Sequence, residues 1–154
     1  MVRIGVIGDT QGHYRVPELL EIVRGHFAGV DEVWHAGDWQ YEEVLDGLRE
    51  IAPLTVVNGN APDDRRFPEF VVRTIEGLDL GMTHRPPHGD EPWLKGLDIC
   101  IHGHTHRWRD EVRDGVRFIN VSTSTGAFPT GDRTMGILTL DAGRADLKKI
   151  ELSS

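Results

Sequence analysis

Cysteine is nearly absent. Cys100 is the one thiol in 154 residues, so the chain can close no internal disulfide and build no thiolate cluster for zinc. Bases are scarce as well, with 17 Lys and Arg against 25 Asp and Glu and a formal charge of −8. A surface that acidic repels a nucleic-acid backbone, which argues against an extended nucleic-acid partner but leaves room for a small phosphate at a metal. No apolar run approaches the roughly 20 residues of a membrane span. The opening MVRIGVIGDTQG lacks the charged and long apolar regions of a secretory leader. The expectation is a soluble, cytoplasmic protein with no membrane partner. At roughly 100–200 residues per domain, residues 1–154 make one domain.

The patterning predicts an α/β fold. Val2–Ile7 is a short apolar run ending in Gly8-Asp9, as a buried parallel strand would. Pro17 suits a first helical turn, Leu19, Leu20, Ile22, Val23 and Phe27 follow at helical spacing, and Gly29 can close that helix. Glu32–His35 repeats the strand, Glu42–Ile51 the amphipathic helix, and Leu54–Val57 a third strand. This alternation favours right-handed crossovers in a parallel or mixed sheet. Beyond residue 65 the chain reads as strands: Phe70–Ile75, Leu78–Thr83, Asp98–His102, Trp108–Arg113, Val116–Val121, Met135–Leu140 and Ala145–Leu152. Gly77, Gly115 and Gly143 mark hairpin turns, and one short helical turn fits near Glu91–Gly96. Two sheets packed face to face result, with helices outside at least the first.

Histidine is the residue in excess, with eight copies. Strand ends carry Asp9-Thr10-Gln11, Gly37-Asp38, Gly59-Asn60 and Gly103-His104-Thr105-His106, and Leu78–Thr83 runs directly into His84. Ligands in open α/β sheets gather at the carboxyl ends of strands, and glycine beside a ligand lets the backbone turn sharply. Taken singly, each piece has a bland reading: Gly37-Asp38 and Gly59-Asn60 as turns, Asp9 as a helix cap, His84 as a structural residue. Their joint occurrence, in order, points to a metal site with mixed oxygen and nitrogen donors. That donor set suits Mn²⁺, with Fe, Zn, Ni or Mg also admitted.

The order of Asp9, Gly37-Asp38, Gly59-Asn60, His84 and Gly103-His-Thr-His106 resembles the calcineurin-like metallophosphoesterase superfamily, in its small bacterial and archaeal phosphodiesterase branch. The resemblance implies a four-layer α-β-β-α sandwich of two mixed β-sheets, with two divalent metals at the strand ends. Asp9, Gln11, Asp38 and His106 would surround the first metal, and Asp38, Asn60, His84 and His104 the second, with Asp38 shared. It implies hydrolysis of phosphodiesters, and of small phosphomonoesters, by a hydroxide bridging the metals, with Asp38, Asn60 and His84 closest to catalysis. Two cations roughly 3.5–4 Å apart can hold such a nucleophile and clamp a phosphate.

Two positions depart from the pattern. Gln11 stands where the family has His, and its amide oxygen shifts preference toward Mn²⁺ or Mg²⁺. Ala61 stands where larger members carry a His that protonates the leaving group. These departures sustain an alternative, a catalytically weak scaffold of the same fold resembling the retromer small subunit and binding protein partners. His13 and His88 lie on loops expected to reach substrate, whereas His35 and His102 read as buried supports and His26 as a helix terminus. Trp39 and Trp108 follow ligand segments and read as core or as pocket wall. The sequence leaves homo-oligomerisation open.

Overall fold

The computed structural model describes residues 1–127 and 131–152. In chain order these form β1 (Val2–Ile7), α1 (Val16–His26), β2 (Glu32–His35), α2 (Glu42–Ile51), β3 (Leu54–Val56), β4 (Phe70–Ile75), β5 (Leu78–Thr83), a 3-10 turn at Pro92–Leu94, β6 (Ile99–Ile101), β7 (Trp108–Arg113), β8 (Val116–Val121), β9 (Thr134–Asp141) and β10 (Arg144–Glu151). They build two five-stranded sheets, ordered β10-β9-β1-β2-β3 and β4-β5-β6-β8-β7. Both are mixed. In the first, β1, β2 and β3 run parallel and β9 joins β1 antiparallel. In the second, β5, β6 and β8 are parallel, flanked by antiparallel β4 and β7. The expected α/β sandwich of two mixed sheets is the fold observed.

Alternation along β1 explains the layering. Ile4 and Val6 point into the space between the sheets, where Trp34, Leu80, Met82, Ile101, Ile119 and Leu138 are fully buried around them. Ile7 points the other way, toward Val23 and Phe27 of α1 and its C-terminal cap and Val44 and Leu48 of α2. α1 starts on Pro17, carries Glu18 in its first turn and Arg24 and His26 in its last, which suits the helix dipole. Three hairpins close on two-residue turns with both residues at positive φ, Glu76-Gly77, Asp114-Gly115 and Ala142-Gly143. That conformation matches the twist of the flanking strands.

The fourth layer is thin. Pro86, Pro87 and Pro92, with Gly89 and Gly96, deny residues 84–98 a continuous helix. Trp93, Leu94 and Leu97 instead cover Cys100 and Phe118 on the outer face of the second sheet. Phe70 stacks on Trp93 at 4.9 Å between ring centroids and remains exposed. Some strand ends differ slightly from the periodicity: β3 stops at Val56 and β6 spans only Ile99–Ile101. Val57 still donates its N–H to His35 O across 3.3 Å, so the ladder ends gradually.

Gly5 tests the first layer contact. A Cβ there would lie 2.7–2.9 Å from the ring of Phe27, which is fully buried. Gly5→Ala should therefore lower the stability measured by urea unfolding by about 1–3 kcal/mol, as overpacking a core does. An unchanged midpoint would show that α1 shifts freely over the sheet.

Candidate metal centre

The loops after β1, β2, β5 and β6 meet where the two sheets converge. Asp9 N donates to Gly37 O at 3.0 Å and Gly103 N to His84 O at 2.8 Å, tying the loops together in pairs. Asp9, Asp38, His104 and His106 all have positive φ, at 49°, 59°, 74° and 60°. Non-glycine residues seldom adopt this conformation, which costs roughly 1 kcal/mol each and concentrates at functional sites. The intervening glycines clear the space: a Cβ on Gly103 would sit 2.7 Å from Asp9 Oδ2, one on Gly37 2.8 Å from His84 Nδ1, and one on Gly59 would collide with Asp38 Oδ1.

Asp9 and Asp38 are buried together with His84 and His106. One ligand atom each from Asp9, Asp38 and His106 falls within 4.8 Å of the others. His106 Nε2 is 3.6 Å from Asp9 Oδ1, and His84 Nε2 is 3.2 Å from Asp38 Oδ2. His104 Nδ1 is 3.3 Å from His84 Nε2, and the His104 N–H donates to the Asp9 carboxylate at 3.1 Å. Asp38 Oδ1 also accepts the N–H groups of Asn60, at 2.6 Å, and Ala61, at 2.9 Å. Asn60 thus reaches the cluster through its backbone while its side chain stays exposed.

Burial and charge oppose each other here. Burial pushes the Asp9 carboxyl above its ordinary pKa despite His106 and His84. Burial also works against the Asp38 anion, but His84 and the N–H groups of Ala61 and Asn60 prevail and hold its pKa at about 2. His84 is raised because Asp38 and Asp9 outweigh its own desolvation. His104 is lowered by burial and by the positive charges of His84 and Arg85. Two buried carboxylates facing ring nitrogens of His84 and His106 form an electron-rich cluster that a divalent cation would complete. Gln11 offers a further donor, since its Oε1 is buried with no hydrogen-bond partner. The residues therefore fit divalent metal.

A shell of polar groups holds this cluster. His35 Nδ1 accepts the Gly37 N–H at 3.0 Å, so its Nε2–H donates to Thr10 Oγ1 at 3.0 Å, and that hydroxyl donates to Trp39 O at 3.1 Å. On the second sheet Asn120 Nδ2 donates to Gly103 O at 3.2 Å and Thr105 Oγ1 at 3.0 Å, while Ser122 Oγ donates to His106 O at 2.9 Å. Thr125 Oγ1 fixes Gln11 O at 2.6 Å. His102 is a support too: it donates from Nδ1 to Gly103 O and accepts from Arg109 through Nε2 at 3.0 Å.

Other expected residues lie apart. His13 and His88 are exposed and make no side-chain hydrogen bond or ion pair with the cluster among the described residues. Trp39 is core, packed on Leu45 and Val56, whereas Trp108 is half-buried against the edge of the inter-sheet core. Arg85 went unnoticed in the sequence: it lines, with His84 and Asn60, a cleft of about 510 Å³ beside the cluster.

Residues 2–143 match the model of the calcineurin-like phosphoesterase superfamily domain. The chain belongs to this superfamily. It is 36% identical over 132 residues to a probable metallophosphoesterase of Methanocaldococcus jannaschii, covering 79% of this chain and 68% of that one. The structure of an archaeal phosphodiesterase superposes with a TM-score of 0.79 at 25% identity, over 98% of this chain and 100% of that one. Vps29 of Entamoeba histolytica complexed with zinc shares the fold, with a TM-score of 0.76 at 22% identity over 97% and 99% of the two chains. The metallophosphoesterase fold thus carries a buried Asp–His cluster suited to divalent metal. No helix among the described residues is long and apolar enough to cross a membrane.

His35 separates support from packing. Asn places its oxygen where Nδ1 lies and can still receive the Gly37 N–H, whereas Gln mimics Nε2 and leaves that N–H unpaired. His35→Gln should weaken Mn²⁺ binding, measured by calorimetry, about tenfold, and His35→Asn less than about threefold. Equal losses would refute the positioning role. Burial, with the His84 charge, lowers the His35 pKa to about 3. Between that value and about 6.5 the unfolded chain binds the extra proton, so acid disfavours folding. In metal-free protein, the stability advantage over His35→Asn should shrink by about 2 kcal/mol from pH 7 to pH 5. A constant difference in urea unfolding would refute this.

Proposed function

We propose that the protein hydrolyses small phosphoesters, phosphodiesters foremost, at a binuclear site. The observation that carries this reading is the buried Asp9–Asp38 pair meeting His84, His104 and His106 at converging strand ends. Asp9, Gln11, Asp38 and His106 would hold one metal and Asp38, Asn60, His84 and His104 the other, with manganese favoured by the oxygen-rich set. Two bound divalent cations would supply electrophilic charge to the phosphoryl oxygens and make water a competent nucleophile near neutral pH.

The remaining work falls to the chain itself. Asp38 is the carboxylate both sites share, and the Asn60 and Ala61 N–H groups fix it in an orientation that leaves Oδ2 directed at His84. His84 is oriented in turn by Ala36 O, 2.8 Å from its Nδ1. This makes Nδ1 the protonated nitrogen and leaves Nε2 to face ligand. In the reaction the oxygen of water bonds to phosphorus, its proton is released, and the ester oxygen departs with the bonding electron pair. Ala61 offers that oxygen no proton, so acidic leaving groups such as nitrophenol react fastest.

Metal analysis followed by a phosphoester panel with added Mn²⁺ tests this reading. Asp38→Asn should keep the fold, weaken both metals and cut hydrolysis of bis-(p-nitrophenyl) phosphate at least 100-fold. Near-normal turnover with two bound metals would overturn the binuclear assignment. A metal-loaded protein with no turnover on any ester would favour the scaffold reading instead.

Gln11 gives a separate test. If its buried amide oxygen is a weak ligand, the first metal is the looser one. Gln11→His should then raise affinity there and favour Zn²⁺ over Mn²⁺, with little change in turnover at saturating Mn²⁺. Titration with metal counted independently measures this, and identical curves would place Gln11 outside the coordination shell.

A further inference from the structure

The cleft beside the metal cluster has a composition that the hydrolytic chemistry alone does not require. About 510 Å³ in volume, it is lined by polar side chains and one glycine, among them Asn60, Asp63, Glu69, Thr83, His84 and Arg85. Apart from the His84 imidazole, no aromatic ring lines it, and no long aliphatic side chain does. Some of its polar groups are already committed: Asp63 accepts from Asn58 Nδ2 at 2.7 Å, and Thr83 Oγ1 donates to Glu69 O at 3.1 Å. The side chains of Asn60, Glu69 and Arg85 make no hydrogen bond or ion pair among the described residues.

Arg85 is the informative member. Many arginines of this acidic chain are tied to carboxylates, as Arg66 is to Asp64 and Glu42, Arg73 to Glu32, and Arg117 to Asp110. Among the described residues Arg65, Arg107 and Arg144 are not, and Arg85 differs from these three in lining the cleft beside the cluster. Arg85 has no such partner although it directly follows His84, whose Nε2 is 3.2 Å from Asp38. Its charge is felt at the cluster, where it helps hold His104 below the ordinary imidazole pKa. A guanidinium at the junction of a phosphoryl site and an open cleft is suited to a phosphate oxygen, which its planar fork can grip. Beyond it the cleft offers a carboxylate and a carboxamide. They can pair with hydroxyls, but no Phe, Tyr or Trp ring is there to stack a nucleobase and no apolar side chain to bury a hydrophobic group. Glu69 and Asp63 would also repel a second anion.

We infer that Arg85 binds a non-bridging oxygen of the substrate phosphate and that the adjoining cleft receives an uncharged, hydroxyl-rich ester arm, making polyol or sugar phosphodiesters the preferred substrate class. The inference rests on the phosphodiesterase reading above and narrows it. Arg85 acts here as a binding residue: it holds the phosphate in ground and transition states alike, so its loss appears in KM more than in kcat. Glu69 reads the arm, so its effect depends on which ester is offered.

The experiment uses the Mn²⁺-loaded protein with three probes, namely inorganic phosphate by calorimetry, a diglycerol phosphodiester, and thymidine 5′-(p-nitrophenyl) phosphate. Arg85→Ala should weaken phosphate binding about tenfold at unchanged metal content. It should raise KM for both esters by a similar factor with kcat within about threefold, and Arg85→Lys should recover part of the loss. Glu69→Gln should raise KM for the diglycerol ester alone. Phosphate affinity unmoved by Arg85→Ala would overturn the anion contact. A higher kcat/KM for the thymidine ester than for the diglycerol ester, after correction for the leaving group by a methyl thymidine ester, would overturn the arm assignment. Phosphate binding that depends on Arg85 in a protein that turns over neither ester would uphold the anion contact and overturn the phosphodiesterase reading.

Discussion

Two carboxylates, Asp9 and Asp38, are buried close together between the sheets, and the architecture around them answers that constraint. A buried anion without compensation is expensive, and two near each other are worse. Compensation comes from both sheets at once: N–H groups of residues 60, 61 and 104 donate to the carboxylates, while His84 and His106 present ring nitrogens to them. Neither sheet could supply this alone. Asp9 and Asp38 follow β1 and β2, whereas His84, His104 and His106 follow β5 and β6. Only a sandwich that brings the carboxyl ends of both parallel sets to one edge assembles the group.

Holding that group has a local cost that the rest of the fold offsets. Four of the cluster residues occupy the left-handed region, and each of those conformations is unfavourable for a side chain with a Cβ. What sustains them is the inter-sheet core directly beneath, in which Val6, Trp34, Met82 and Ile101 are fully buried, together with polar anchors on either side. His35 fastens the Gly37-Asp38 turn and Asn120 and Ser122 fasten the loop from Gly103 to His106. Those anchors act on backbone atoms, so they set where the ligands point without competing for the ligand atoms themselves.

The cluster was legible in the sequence because its residues sit beside glycines at the ends of apolar runs, and both halves of that signal are local. Gly37, Gly59 and Gly103 are there to avoid collision with His84, Asp38 and Asp9, so the spacing carried spatial information. The hairpins were legible for a similar reason, as each ends in a glycine at positive φ. The anchors were not. Asn120 and Ser122 lie at the end of a strand whose pattern says only that it is buried, and their partners are 15 or more residues away in sequence. His13 and His88 are exposed and bond to no cluster side chain among the described residues, since proximity of a loop to a motif in sequence does not decide which way its side chains face. Arg85 escaped notice because its placement in the cleft beside the cluster, with no ion pair to a carboxylate among the described residues, is visible only in the folded surroundings.

The acidity of the chain then acquires a role beyond solubility. With a formal charge of −8, the general surface repels polyanions, and under the proposed function the attraction of a phosphate would come from the metal cluster and Arg85. A long nucleic acid must bring many phosphates close to that surface and meets repulsion along its length, while a small diester brings one. For a phosphodiester substrate the same field would oppose retention of the anionic product, because a monoester carries more negative charge than the diester from which it came. On the reading proposed above, Glu69 would pair with the hydroxyls of an uncharged arm and, together with Asp63, repel an arm that carries its own negative charge. On that reading the charge distribution would discriminate by the number of anionic groups and the polar cleft by the chemistry of the arm, two filters on different parts of one substrate.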